Sequence, residues 1–139
     1  MCLTLCDGWL KKTKRYKNKK KPIKAYKVLM SDKCGAIQYF QWKMGWNQSS
    51  RLSTVVSLSE RSSKQIGNGF HFFLSIKAAR KFANGNNNIW ECEILPAHVV
   101  ATGGFAYYHS LSNMLGNSNP QDGGNCLVAT KAKLVRKVK

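Results

Sequence analysis

The chain has 139 residues and a mass of 15.6 kDa, enough for one domain with a real core and too little for two. Hydrophobic residues make up 43% and aromatics 11%, which argues against disorder throughout, and no apolar run approaches the roughly 18 residues of a membrane-spanning helix. The unusual quantity is a net charge of +17, from 23 Lys and Arg against six acids.

The charge lies at the two ends. Residues 1–27 hold ten basic side chains against Asp7, residues 131–139 hold five against none, and the middle is nearly neutral. The apolar stretch Met1–Leu10 is short, broken by Asp7 and Gly8, and its charges follow rather than precede it. It makes a poor secretory signal, so export is not expected. Next comes Lys11-Lys12-Thr13-Lys14-Arg15-Tyr16-Lys17-Asn18-Lys19-Lys20-Lys21-Pro22. Like charges this dense repel one another, and residues 1–22 read as an extended basic arm, disordered until an anionic partner orders it. Nucleic acid, an acidic protein surface or an anionic membrane face would each neutralise it. One aromatic, Tyr16, and no Arg or Asn series argue against a base-specific reader.

Residues 23–139 read as a single domain. Ile23–Met30 alternates and is rich in strand formers, so it opens the domain as a strand. Ala36–Trp46, with Tyr39, Phe40, Trp42 and Trp46, reads as a strand or tight hairpin. Leu52–Leu58 is β-branched and reads as a strand, and the polar stretch Ser59–Gly69 as a loop. Phe70–Leu74 is a short buried strand. Ser75 is a good N-cap for a helix over about 75–84, with Ile76, Ala79, Phe82 and Ala83 on one face and Asn84-Gly85 as the stop. Asn86–Asn88 reads as a turn. Ile89–Leu95 alternates, with Ile89, Glu91, Glu93 and Leu95 on one face and Trp90, Cys92 and Ile94 on the other. Two carboxylates on one face are expected to meet Lys or Arg across the sheet.

Val99–Ala106 is read as a strand kinked at Gly103-Gly104, Ser110–Leu115 as a helical turn or two, and 116–125 as an exposed loop. Cys126–Val138 is the final strand, with Val128, Thr130, Ala132, Leu134 and Val138 on one side and Lys131, Lys133 and Lys137 on the other. The expected class is α+β: a mostly antiparallel sheet with one main helix.

Five cysteines, Cys2, Cys6, Cys34, Cys92 and Cys126, are an odd and scattered set, which fits reduced thiols. Cys2 and Cys6 lack a second close Cys or His pair, and His71, His98 and His109 are singles, so no metal or other cofactor is expected. The residues expected to meet a polyanion are Lys11, Lys12, Lys14, Arg15, Lys17, Lys19, Lys20, Lys21 and Lys24, with Lys131, Lys133, Arg136 and Lys137 from the other end.

Two resemblances add to this reading. Met1-Cys2-Leu3, Ala25-Tyr26-Lys27-Val28-Leu29, Gly69-Phe70-His71-Phe72-Phe73, Ala78-Ala79, Cys92-Glu93-Ile94-Leu95-Pro96 and Val128-Ala129-Thr130-Lys131-Ala132-Lys133-Leu134-Val135 follow in order. The string, over about two thirds of the chain, resembles small uncharacterised proteins of large DNA viruses and tailed phages. It implies a viral source, and with it a virion or the cytoplasm or nucleus of a host cell. It implies no chemistry.

The strand at Gly69–Leu74, the helix after it and the strand at Ile89–Leu95 resemble a segment of ADP-ribosyltransferases. That resemblance would give Tyr26 the early-strand position that meets the nicotinamide dinucleotide, His71 the second-strand position, and Glu91-Cys92-Glu93 with Leu95-Pro96 the look of a toxin-type Glu-x-Glu. The glutamates follow the helix closely, however, and the terminal strand carries none. Two functions therefore stand side by side. One is a non-enzymatic viral accessory or virion-associated protein, docked on a protein assembly, with a Lys-rich arm on nucleic acid or another polyanion. The other is a transferase-like enzyme or inactive relative acting on a host target. Charge placement favours the first.

Overall fold

In the computed structural model, residues 3–4, 8–35, 40–49, 55–58, 63–66, 69–83, 87–105 and 126–138 are described. The alternating stretch Ile23–Met30 forms a strand as expected, and a short strand (Leu3–Thr4) and a helix (Trp9–Lys17) precede it. In chain order the elements are β1 (Leu3–Thr4), α1 (Trp9–Lys17), β2 (Ile23–Met30), β3 (Gly45–Gln48), β4 (Val55–Leu58) and β5 (Ser63–Ile66). They continue with β6 (Phe70–Phe73), α2 (Ile76–Phe82), β7 (Asn87–Ile94), β8 (Val99–Phe105), β9 (Cys126–Ala129) and β10 (Lys131–Val138). The strand order is β3-β10-β7-β2-β6-β9-β8, a seven-stranded sheet that β1, β5 and β4 extend in that order. Every strand pairing among the described residues is antiparallel, so the expected α+β class with a mostly antiparallel sheet holds.

The alternation in β2 and β7 produces two buried faces. On one, Ile23, Ala25 and Leu29 of β2 meet Cys92 and Ile94 of β7, Phe70 and Phe72 of β6, and Ala132 and Leu134 of β10. Trp42, only 2% exposed, closes this face from an irregular segment, its ring 4.5 Å from Phe70 and 6.0 Å from Phe72. Aromatic pairs at these distances add stabilisation beyond the area they bury. On the other face, Val28, Phe73, Cys126 and Val128 lie under Ala78 and Ala79 of α2. The Ser75 hydroxyl accepts from the Ala78 amide at 3.2 Å, the expected N-cap, and the proposed stop at Asn84-Gly85 lies outside the described residues.

Several expectations are corrected. The basic run is not extended throughout, because residues 9–17 are helical. Trp9, Thr13 and Tyr16 recur at helical spacing and give this segment a stripe to bury. The expected single strand over Cys126–Val138 is two. β9 pairs with β6 and β8, whereas β10 pairs with β7 and β3. Thr130 is the crossing point, its N–H donating to the His98 carbonyl at 3.0 Å and its carbonyl accepting from the Ser49 amide at 2.8 Å. Val128 therefore packs on the α2 face, while Ala132 and Leu134 pack on the Trp42 face.

The polar stretch read as a loop contains β5, held by backbone ladders to β1 and β4 that side-chain composition does not encode. β3 starts only at Gly45. Phe40 and Trp42 precede it in a turn fixed by Gly35 N–H to Phe40 O at 2.9 Å and Trp42 N–H to Lys33 O at 3.0 Å. β7 begins at Asn87, inside the expected turn, and β8 has its register irregularity between Val99 and Ala101 rather than at the glycines. The expectations for 110–115 and 116–125, and those on Cys2 and Cys6, fall outside the described residues.

Candidate functional site

α1 begins at Gly8, whose φ of 75° is left-handed and open to glycine with no steric penalty. Trp9, Thr13 and Tyr16 point inward. Thr13 is 5% exposed, and its hydroxyl accepts from the Thr102 amide of β8 at 3.0 Å while lying 3.2 Å from the Thr102 hydroxyl. The Thr102 hydroxyl also lies within 3.4 Å of the Trp9 carbonyl as a donor. A buried N–H left without its acceptor would cost about 1–3 kcal/mol, so this contact fixes the helix on the sheet.

At 100° per residue, Lys11, Lys14 and Arg15 lie opposite this stripe. They are exposed, as are Lys17, Lys19, Lys20 and Lys21, and no acidic residue occurs between Gly8 and Ser31. Lys14, Arg15 and Lys17 occupy the last turn, where the negative end of the helix dipole favours cations. Lys19 folds back over Tyr16, its ammonium 4.7 Å from the ring centroid. The result is an ordered cationic ridge.

Lys12 is also on α1 but half-buried, and the remaining expected polyanion contacts lie elsewhere. Lys24, Lys131, Lys133, Arg136 and Lys137 are on β2 and β10, whereas α1 packs on β8 near the other end of the seven strands. Their cross-strand partners include both central glutamates. Glu91, with its side chain 12% exposed, meets Arg136 at 3.2 Å and Lys24 at 3.7 Å, and Glu93 faces Lys24 and Lys133 in register. The pairing expected for these carboxylates is therefore observed at Glu91.

Tyr26 sits directly across from Glu91, and His71, 6% exposed, pairs in register with Val128 on the same face as Tyr26. Tyr26 is half-buried and packs against the cluster that includes Ala78 and Ala79 of α2.

Sequence reasoning missed Lys27. It falls on the Ile23–Ala25–Leu29 face, the side that alternation assigns to the core. β2 and β6 are in register only at Tyr26 and Phe73, and the Lys27 ammonium donates to the His71 carbonyl at 2.8 Å. Trp42 and Phe72 flank it, with centroids 5.6 and 5.5 Å from Nζ. Burial lowers its pKa from 10.5 to about 8, opposed by the neighbouring Cys92. Burial likewise pushes the Cys92 thiol up to about 12. The pair is a half-buried cation and a fully buried thiol beside the aromatic cluster. The signal was present in the sequence as a lysine in phase with apolar residues.

Among the described residues, no group of His, Cys, Asp and Glu could hold a metal, and no helix is long and apolar enough to cross a membrane. No protein-family model, curated protein or solved structure matches the chain.

Proposed function

We propose that the protein is a non-enzymatic binding module for nucleic acid, with α1 and residues 18–21 as its phosphate-contacting surface. One observation carries the reading: an acid-free cationic helix is anchored to the sheet by the Thr13–Thr102 contact. Each phosphate neutralised by Lys or Arg releases a condensed counterion, a gain independent of sequence. Because α1 is already ordered, its backbone loses little further entropy on binding, unlike that of a flexible tether. The viral accessory or virion role implied by the resemblance belongs to the same proposal. There the sheet docks on a capsid or host assembly and the helix meets the polyanion. The transferase alternative gains no specific support, since Glu91 is engaged by Arg136 and Lys24.

The test replaces Lys11, Lys14 and Arg15 together by Gln, which keeps helix propensity and removes charge. Duplex DNA affinity at low salt is expected to fall about tenfold or more, with circular dichroism unchanged. Unchanged affinity would show that the ridge is not the binding surface.

A further inference from the structure

We infer a second site, for single-stranded nucleic acid, at the outer edge of β3, with Trp46 as a stacking platform. A cleft of about 510 Å³ opens there, walled by Trp46, Phe40, Gln41, Lys43, Gln48 and Lys131. That size lies within the roughly 300–1,000 Å³ of small-ligand sites. Trp46 is 38% exposed, an uncommon placement for so large an apolar ring, and the Lys131 ammonium stands 5.5 Å from its centroid. Lys133 is its register partner on β10. No carboxylate lines the cleft.

The turn that presents these groups is built rather than loose. The buried Asn47 side chain accepts from the Lys43 amide at 2.9 Å and donates to the Lys43 and Gly45 carbonyls at 2.8 and 3.0 Å. Gly45, at φ 83°, turns the chain into β3 between Lys43 and Trp46.

An exposed indole flanked by lysines suits one occupant above others. Each base offers a π-face to the ring, and its phosphates meet the lysines, so affinity is sequence-tolerant and confined to strands whose bases are unstacked. Gln48 adds an amide to the wall of the cleft, while the Gln41 amide is taken up by the Asp32 carbonyl at 2.7 Å. An acidic peptide would satisfy the charge and leave the ring unused, and a duplex keeps its bases from the ring. The site is distinct from α1 and needs no contact with it.

The test uses the full chain, labelled oligo(dT) and a duplex of the same length. Trp46→Ala is expected to weaken oligo(dT) binding roughly tenfold and to leave duplex binding unchanged. Trp46→Phe, which retains a ring, is expected to keep most of the affinity. Lys131→Gln, which leaves the strand backbone undisturbed, is expected to weaken oligo(dT) more than duplex. The inference is overturned by unchanged oligo(dT) affinity in Trp46→Ala, by equal losses on both probes, or by a poly-glutamate peptide that binds with the same Trp46 dependence. Failure of the α1 proposal reads differently: duplex binding would then survive neutralisation of Lys11, Lys14 and Arg15, whatever Trp46→Ala does to oligo(dT).

Discussion

Replacing Lys27 by methionine is expected to stabilise the protein at neutral pH. The ammonium lies between Trp42 and Phe72 with the His71 carbonyl as its hydrogen-bond acceptor. The fall of its pKa from 10.5 to about 8 corresponds to about 3 kcal/mol against the charged form in the folded state. Methionine fills similar space without charge, but it leaves the His71 carbonyl without that donor, a loss of about 1–3 kcal/mol. The net expectation is a gain of up to about 2 kcal/mol at pH 7.

The same groups fix the pH dependence. Between about 8 and 10.5 the unfolded state holds the Lys27 proton more tightly than the folded state, so stability rises with pH there. Cys92 acts oppositely. Between 9 and about 12 the folded state retains the thiol proton, so stability falls with pH. The sum is a rise of about 1 kcal/mol from pH 8 to 9, then near-cancellation up to about 10.5. Urea unfolding followed by tryptophan fluorescence, under reducing conditions at pH 7, 8 and 9, measures both effects. In Lys27→Met the rise should vanish. A destabilised Lys27→Met, together with a wild-type protein flat between pH 8 and 9, would refute the claim that the half-buried cation is held out of water at a cost.

Two further variants probe the elements that position the surface. Thr13→Val keeps the shape of the side chain and removes the acceptor for the buried Thr102 amide, so a loss of about 1–3 kcal/mol in urea unfolding is expected. Faster hydrogen exchange in residues 9–17 would accompany it if the helix is released. Ser75→Ala removes the cap from the Ala78 amide and should lower stability by about 1 kcal/mol without altering nucleic-acid affinity, since none of the proposed contact residues lies on α2.

Strand alternation was the most legible feature of the chain. β2 lies where its period-2 pattern placed it, and the two faces of β7, with Glu91 opposite Cys92, follow directly from the residues. What alternation could not supply was the identity of neighbours. Cys126–Val138 carries one near-continuous pattern, yet Thr130 divides it between two places in the sheet, because the Ser49 amide and His98 carbonyl capture its backbone. β5 was hidden for a related reason: Ser63–Ile66 is joined by main-chain ladders that its polar side chains do not announce.

The basic helix was obscured by charge. Eight cations from Lys11 to Lys21 suggested self-repulsion, while Trp9, Thr13 and Tyr16 carried a weaker periodic signal. Burial of that stripe against β8 outweighs repulsion among side chains that point into water. The Trp46 cleft depends on β3 and β10 being paired, a long-range contact that local sequence does not show.

The most direct measurement of the central claim is the salt dependence of duplex DNA binding by the wild-type protein and by the variant with Lys11, Lys14 and Arg15 replaced by Gln. Each phosphate contact contributes about −0.9 to the slope of log K against log salt. The ordered ridge should therefore give a steep wild-type slope that becomes shallower by about 2.7 when its three outward cations are removed. The same slope in both proteins, or no binding at low salt, would contradict α1 as the phosphate-contacting surface.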